Sequence, residues 1–133
     1  MIKPAPWYYL AIALAQAAHS IEEQLTGFYR LFPLTTAAMR ERVAFVPVLD
    51  PGADGFAAMN MAVITLLLTL APFVFQGKVW ARRAAWLVAC IELINGTGHI
   101  SAALFTGTYV SGSVAGSGLI AFPLLYLTAR RSQ

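Results

Sequence analysis

Two groups of residues in this chain can do chemistry: His19-Ser20-Ile21-Glu22-Glu23, and Glu92 with Asn95 and His99. Imidazole nitrogens and carboxylate oxygens are the donors that bind hard or borderline divalent ions such as Zn, Mn or Fe. The same groups move protons, because burial and neighbouring charge shift their ionisation in opposite directions. Their placement is concentrated. The chain has six Asp and Glu and two His, and three of the carboxylates with both histidines fall inside apolar stretches. An ionisable side chain in a lipid-spanning helix costs roughly 2.5–3.5 kcal/mol on insertion scales and marks a functional site by default.

Helical spacing makes each group a stripe. At about 100° per residue, His19, Glu22 and Glu23 occupy an arc of roughly 100°, with Gln16 and Thr26 on the same side, and Glu92, Asn95 and His99 share a narrower one. Counting a rise of about 1.5 Å per residue from Trp7 and from Ala84, His19 and Glu23 lie roughly 18 and 24 Å deep, against roughly 12, 16 and 22 Å for Glu92, Asn95 and His99. The stripes overlap in depth, so the first and third spans are expected to pack directly and share one polar pocket. In it, Glu23, Glu92 and Asn95 are the candidate catalytic groups, and His19, Glu22, Glu23, Glu92 and His99 the candidate metal ligands. A purely structural clasp is the bland alternative, but interhelical hydrogen bonds in bilayers average only about 0.6 kcal/mol, a small return on five ionisable groups.

The elements that position these stripes follow from composition. Of 133 residues, 59% are hydrophobic and 11% charged, against about 45–50% and 25% in soluble domains. Apolar runs at about 7–28, 56–75, 84–105 and 113–128 are each close to the ~20 residues that cross a bilayer core. The expected fold is an all-α membrane protein, one domain over 1–133 with four transmembrane helices. The opening residues imitate a secretory signal, with Lys3, an apolar run and Ala15-Gln16-Ala17, but the run is read as a retained span. Residues 29–55 contain Pro33, Pro47, Pro51 and Arg40-Glu41-Arg42. They are too broken by proline to span, and are expected to form a short interfacial helix near Thr35 to Phe45, a turn at Asp50-Pro51-Gly52, and a lid over the pocket.

Lys3, Lys78, Arg82, Arg83, Arg130 and Arg131 fall on one side of such a bundle and Arg30, Arg40 and Arg42 on the other. Both termini are therefore expected in the cytoplasm, in a multi-pass protein of the inner membrane. No continuous basic face exists for nucleic acid, and Cys90, the single cysteine, forms no intrachain disulfide and no metal knuckle. Gly112 and Gly116 form a G-x-x-x-G that suits close helix packing, including with a second copy of the chain. Asn60 is expected near the outer end of the pocket, and Pro72 and Pro123 at helix kinks.

His19-Ser20-Ile21-Glu22-Glu23 on a first span, followed by Glu92-Leu93-Ile94-Asn95-Gly96-Thr97-Gly98-His99 on a later one, resembles the family of small bacterial integral membrane proteins named for its HxxEE motif. Tyr109 and Gly112 ahead of the last span fit the resemblance, which covers most of the chain; Ser111 stands where many members are expected to carry a proline. The family is a domain of unknown function, so the resemblance implies a site and leaves the reaction open.

Two functions suit these residues. One is a membrane-embedded enzyme acting on a lipid-soluble substrate, such as an isoprenoid, sterol-like or acyl compound, in isomerase-, cyclase- or hydrolase-like chemistry. Its metal version uses His19, Glu22 or Glu23, Glu92 and His99 as ligands, with Asn95 orienting water or substrate; its metal-free version uses Glu23 or Glu92 as the acid. A bound metal is favoured, because like charges sharing a low-dielectric pocket cannot all stay ionised without one. The other function is an oligomeric transporter or channel component for protons or divalent cations. The pocket is expected to open to the outer face, or sideways beneath residues 29–55.

Overall fold

The computed structural model describes residues 5–131, without the side chains of residues 130 and 131; Lys3 and Pro4, and the side chains of Arg130 and Arg131, lie outside what is described. The described residues form helices and no strands: α1 (Ala5–Thr26), a 3-10 turn (Phe28–Arg30), α2 (Phe32–Arg42), α3 (Gly52–Phe75), α4 (Val79–Thr106) and α5 (Ser113–Arg131).

The ends are written in glycine and proline. Gly27, Gly77 and Gly107 follow α1, α3 and α4 with φ of 75°, 71° and 62°, the left-handed conformation that ends a helix at little cost only in glycine. Pro33 lies in the first turn of α2, where its missing N–H is not needed, so the short helix expected from Thr35 begins earlier, at Phe32. The helix is tied to the following irregular segment by Leu49 N–H, which donates to Thr36 Oγ1 at 3.1 Å. Helices α3 and α4 start at Gly52 and Val79, ahead of the expected 56 and 84, because Gly-Ala-Asp-Gly and Val-Trp-Ala-Arg-Arg continue the helical turn without being apolar enough to look like a span.

Short connections make α3, α4 and α5 run alternately up and down. Helix α5 lies in long contact with both α1 and α4, α3 packs on the other flank of α1, and α1 and α4 touch only slightly along their backbones. Direct packing of the first and third long helices is thus replaced by a diagonal arrangement with α5 as the wedge. The wedge works because small residues line it. A Cβ on Gly96 of α4 would stand 2.6 Å from the Gly116 carbonyl oxygen of α5. The Gly112–Gly116 face expected to be offered to a second copy is filled within the chain, by the histidines and by α4.

Helices α3 and α4 are long and apolar enough to cross a membrane. Against four expected spans, α5 offers only a shorter apolar stretch, Ser113–Ala129. Helix α1 falls short by composition, since Gln16, His19, Glu22, Glu23 and Gln24 lower its mean hydropathy. One half of the bundle holds an apolar core of Tyr9, Ile12, Ala71, Val74, Ala81, Ala85, Ala89 and Tyr126, pinned by Tyr9 Oη donating to the Leu67 carbonyl at 2.9 Å. The other half holds the site.

Candidate metal centre

The inward face of α1 runs through Ala5, Tyr9, Ile12, Gln16, His19 and Glu23, and that of α4 through Ala81, Ala85, Ala89, Glu92 and Gly96. Spacings of three and four keep one side of a helix facing its neighbours. The polar stripes therefore continue the faces that build the core, and where the apolar residues stop, the ionisable ones are already pointed inward.

Across the diagonal the stripes meet. Glu23 Oε1 lies 3.4 Å from His19 Nε2 and 3.4 Å from His99 Nε2. The two imidazoles stand edge to face, with centroids 4.6 Å apart. All three groups have donor atoms within 4.8 Å of one another and could hold a metal ion. His19 and Glu23 are buried, at 1% and 6% exposure.

The opposite ring nitrogens are already used. His19 Nδ1 lies 3.0 Å from the Gly112 carbonyl oxygen, and His99 Nδ1 lies 2.5 Å from that of Ser111. A carbonyl oxygen only accepts, so each Nδ1 carries hydrogen and donates. In a neutral ring the lone pair is then on Nε2, and both Nε2 atoms face the same carboxylate oxygen. His19 Nε2 is close enough to Glu23 for an ion pair but lacks hydrogen-bond geometry, and it is a buried nitrogen with no hydrogen-bond partner. Donors about 2.0–2.1 Å from a tetrahedral zinc lie about 3.3 Å apart, close to the two His–Glu edges.

Gly112 is fixed by this geometry. Its φ is 82°, and a Cβ there would overlap the His19 ring and stand 2.9 Å from His99 Nδ1. Its carbonyl also receives the first hydrogen bond of α5, from Gly116 N–H at 2.9 Å.

Glu22 turns away from the cluster. Its carboxylate accepts Tyr109 Oη–H at 2.6 Å, Val114 N–H at 3.2 Å and Ala115 N–H at 2.7 Å. It thereby joins α1 to the 107–112 connection and to the N-terminus of α5, where free N–H groups and the helix dipole favour negative charge. The hydrogen bond to this carboxylate pushes the Tyr109 phenol above its ordinary value. Beside it, the hydroxyls of Thr26 and Ser111 meet.

Glu92 is buried at 5% exposure, with Asn95 Nδ2 donating to its Oε2 at 3.4 Å. It lies on the core side of the cluster and is not among the three groups that converge. Of the five candidate ligands, His19, Glu23 and His99 are brought together, and Glu22 and Glu92 are not. Sequence reasoning missed the Ser111 and Gly112 carbonyls, which carry no side-chain letter; the one available signal was a glycine ahead of the last helix.

Phe28, from the 3-10 turn, lies over His99 with centroids 5.4 Å apart and leans on Phe56 of α3 at 6.0 Å. The ring over His99 thus comes from Phe28, just ahead of the 29–55 segment expected to form the lid. To one side, a cavity of about 120 Å³ between α1 and α3 is lined by Ser20, Gln24, Asn60 and Met61 among others. The buried Gln24 Oε1 and Asn60 Nδ2 have no partner there. A larger groove of about 410 Å³, wholly apolar, runs between α3 and α4 from Leu66 to Ile91. None of His19, Glu23 and His99 lines either one.

Comparison with protein-family models, with curated proteins and with solved structures finds no match to this chain.

Proposed function

We propose that the chain is a multi-pass inner-membrane protein of the HxxEE-motif family, and that His19, Glu23 and His99 bind a divalent metal with which it acts on a lipid-soluble substrate. One observation carries this reading: backbone carbonyls hold both Nδ1–H groups, so that in neutral rings both Nε2 atoms are free to act as ligands, each 3.4 Å from one carboxylate oxygen. Metal-bound histidines characteristically donate their other ring N–H in this way, which fixes the tautomer and raises ligand basicity. Two imidazoles and a carboxylate suit zinc, and equally manganese or iron, and leave coordination positions open for water or substrate.

In the membrane reading α1 and α5 join α3 and α4 as spans. The polar face of α1 is covered by α5 and α4, so little of its charge meets lipid. Lys78, Arg82 and Arg83 face the cytoplasm and Arg40 and Arg42 the outer side. A lipid-soluble substrate enters laterally, past α3 and the Phe28 roof. A bound ion supplies Lewis acidity toward a substrate oxygen or a bound water. Glu92 and Asn95, one step deeper along α4, supply proton transfer and orientation.

A metal-free acid–base reading has its own support, since Glu23 Oε1 lies within ion-pair distance of both rings and can pass a proton between them. Elemental analysis of the detergent-purified protein separates the two. The metal reading expects one tightly held divalent ion per chain, lost in His99→Ala and on chelation, with a fall in Tm in both cases. Metal-free protein that refuses zinc, manganese and iron sinks it and leaves the proton relay.

A further inference from the structure

We infer that Glu22 is a positioning residue: by clamping the 107–112 connection and the start of α5 to α1, it holds the two carbonyl groups that set the tautomer and direction of both imidazoles. The chain of contacts is continuous. Ser111 and Gly112, the last residues before α5, present their carbonyls to His99 Nδ1 and His19 Nδ1. Gly112 occupies the position where a helix ordinarily places a capping side chain, but its φ of 82° and the crowding of both rings exclude one. The N–H groups of Val114 and Ala115 therefore have no local acceptor, and Glu22, reaching across from the neighbouring helix, supplies it. Tyr109 fixes the outer part of the same connection to the same carboxylate. The neighbouring carboxylates Glu22 and Glu23 thus divide the work: Glu23 faces the imidazoles directly, and Glu22 acts on them through the backbone that aims them. The inference rests on the site of the proposed function, but its tautomer test needs no ion.

The test uses the full-length protein in lipid nanodiscs, stripped of metal, with nitrogen-15 histidine. With two histidines, each ring gives a separate tautomer signature. In the native protein both rings are expected to be protonated at Nδ1. In Glu22→Ala, three donors lose their acceptor, the Nδ1–H signatures give way to mixed tautomers, and Co(II) affinity falls about 10- to 100-fold, the usual cost of an outer-shell partner. Glu22→Gln keeps an acceptor oxygen and is expected to restore most of the native signature, and Tyr109→Phe, which removes one bond of three, to fall between. A merely structural role lowers Tm in these variants and leaves the tautomers and the Co(II) spectrum as they are. Unchanged tautomers in a folded Glu22→Ala overturn the inference; if that variant does not fold, unchanged tautomers and Co(II) affinity in both Glu22→Gln and Tyr109→Phe overturn it. A native protein that binds no Co(II) removes the metal reading alone, because the tautomer comparison still decides this one.

Discussion

Glu23 Oε1 lies 3.4 Å from Nε2 of both imidazoles, so Glu23→Gln replaces the common carboxylate while keeping the side chain's shape. The expected outcome is loss of the proposed ion with retention of the helical fold, read by metal content and circular dichroism together. Gly112 and Gly98 give a paired test with opposite signs. A methyl at Gly112 meets both rings and a φ of 82°, so Gly112→Ala is expected to cost about 1–3 kcal/mol and to weaken metal binding. Gly98 is exposed on α4 with nothing within 4 Å of a Cβ, and Gly98→Ala is expected to stabilise by about 0.5–1 kcal/mol; chemical denaturation in mild detergent reads both. Tyr109 adds a pH dependence. Its phenol is raised above the ordinary 10.0 by the hydrogen bond to Glu22, so the proton is held more tightly in the folded protein than in the unfolded one. The bond's contribution is complete below pH 10 and lost as pH climbs through the raised value, a loss that Tyr109→Phe should abolish in alkaline melting curves.

At the scale of helices, α5 sets the spacing of the cluster by wedging between α1 and α4. Gly96→Ala places a methyl 2.8 Å from Leu119 Cβ, and the overpacking is expected to cost about 1–3 kcal/mol while moving His99 away from Glu23. A lower metal affinity with α1 untouched would show that the wedge, and not only the ligands, sets the site. The sequence already carried the stripes, because a helical period is a property of letters: His19 with Glu23, and Glu92 with Asn95 and His99, each fall on one face. It did not carry which helices are neighbours. Short loops and apolar faces allow both a direct and a diagonal arrangement of α1 and α4, and the choice is made by Gly96 against Gly116, a contact that no single helix reveals. Glu22 was misplaced for a related reason. One residue away from Glu23, it points about 100° round the helix, and only the position of α5 shows that an N-terminus waits there.

Over the whole molecule, an apolar core in one half and an ionisable cluster in the other make a bundle of unequal ends. Lys78 and Arg83, in and just after the turn between α3 and α4, belong to the core end, and Arg40 and Arg42 to the end carrying α2. By the excess of Lys and Arg on its side, the first pair is expected in the cytoplasm. With Cys90→Ala as background, a membrane-impermeant maleimide added to intact cells should label Phe45→Cys, whose parent side chain is 89% exposed, and spare Gln76→Cys. The reverse pattern would invert the topology without touching the cluster.

The hydrogen bonds from α1 to the start of α5 join residues 92 and 93 apart in sequence. During synthesis at about 5–20 residues per second, α1 waits roughly 5–20 s for the chain that receives its charges. Through that interval His19, Glu22 and Glu23 have neither the carbonyls of Ser111 and Gly112 nor the α5 terminus to bind. The first helix is thus the last to be completed. In the membrane reading proposed above, a ribosome stalled before α5 emerges leaves a nascent chain whose α1 packs on α3 but carries a polar stripe that α5 has yet to cover.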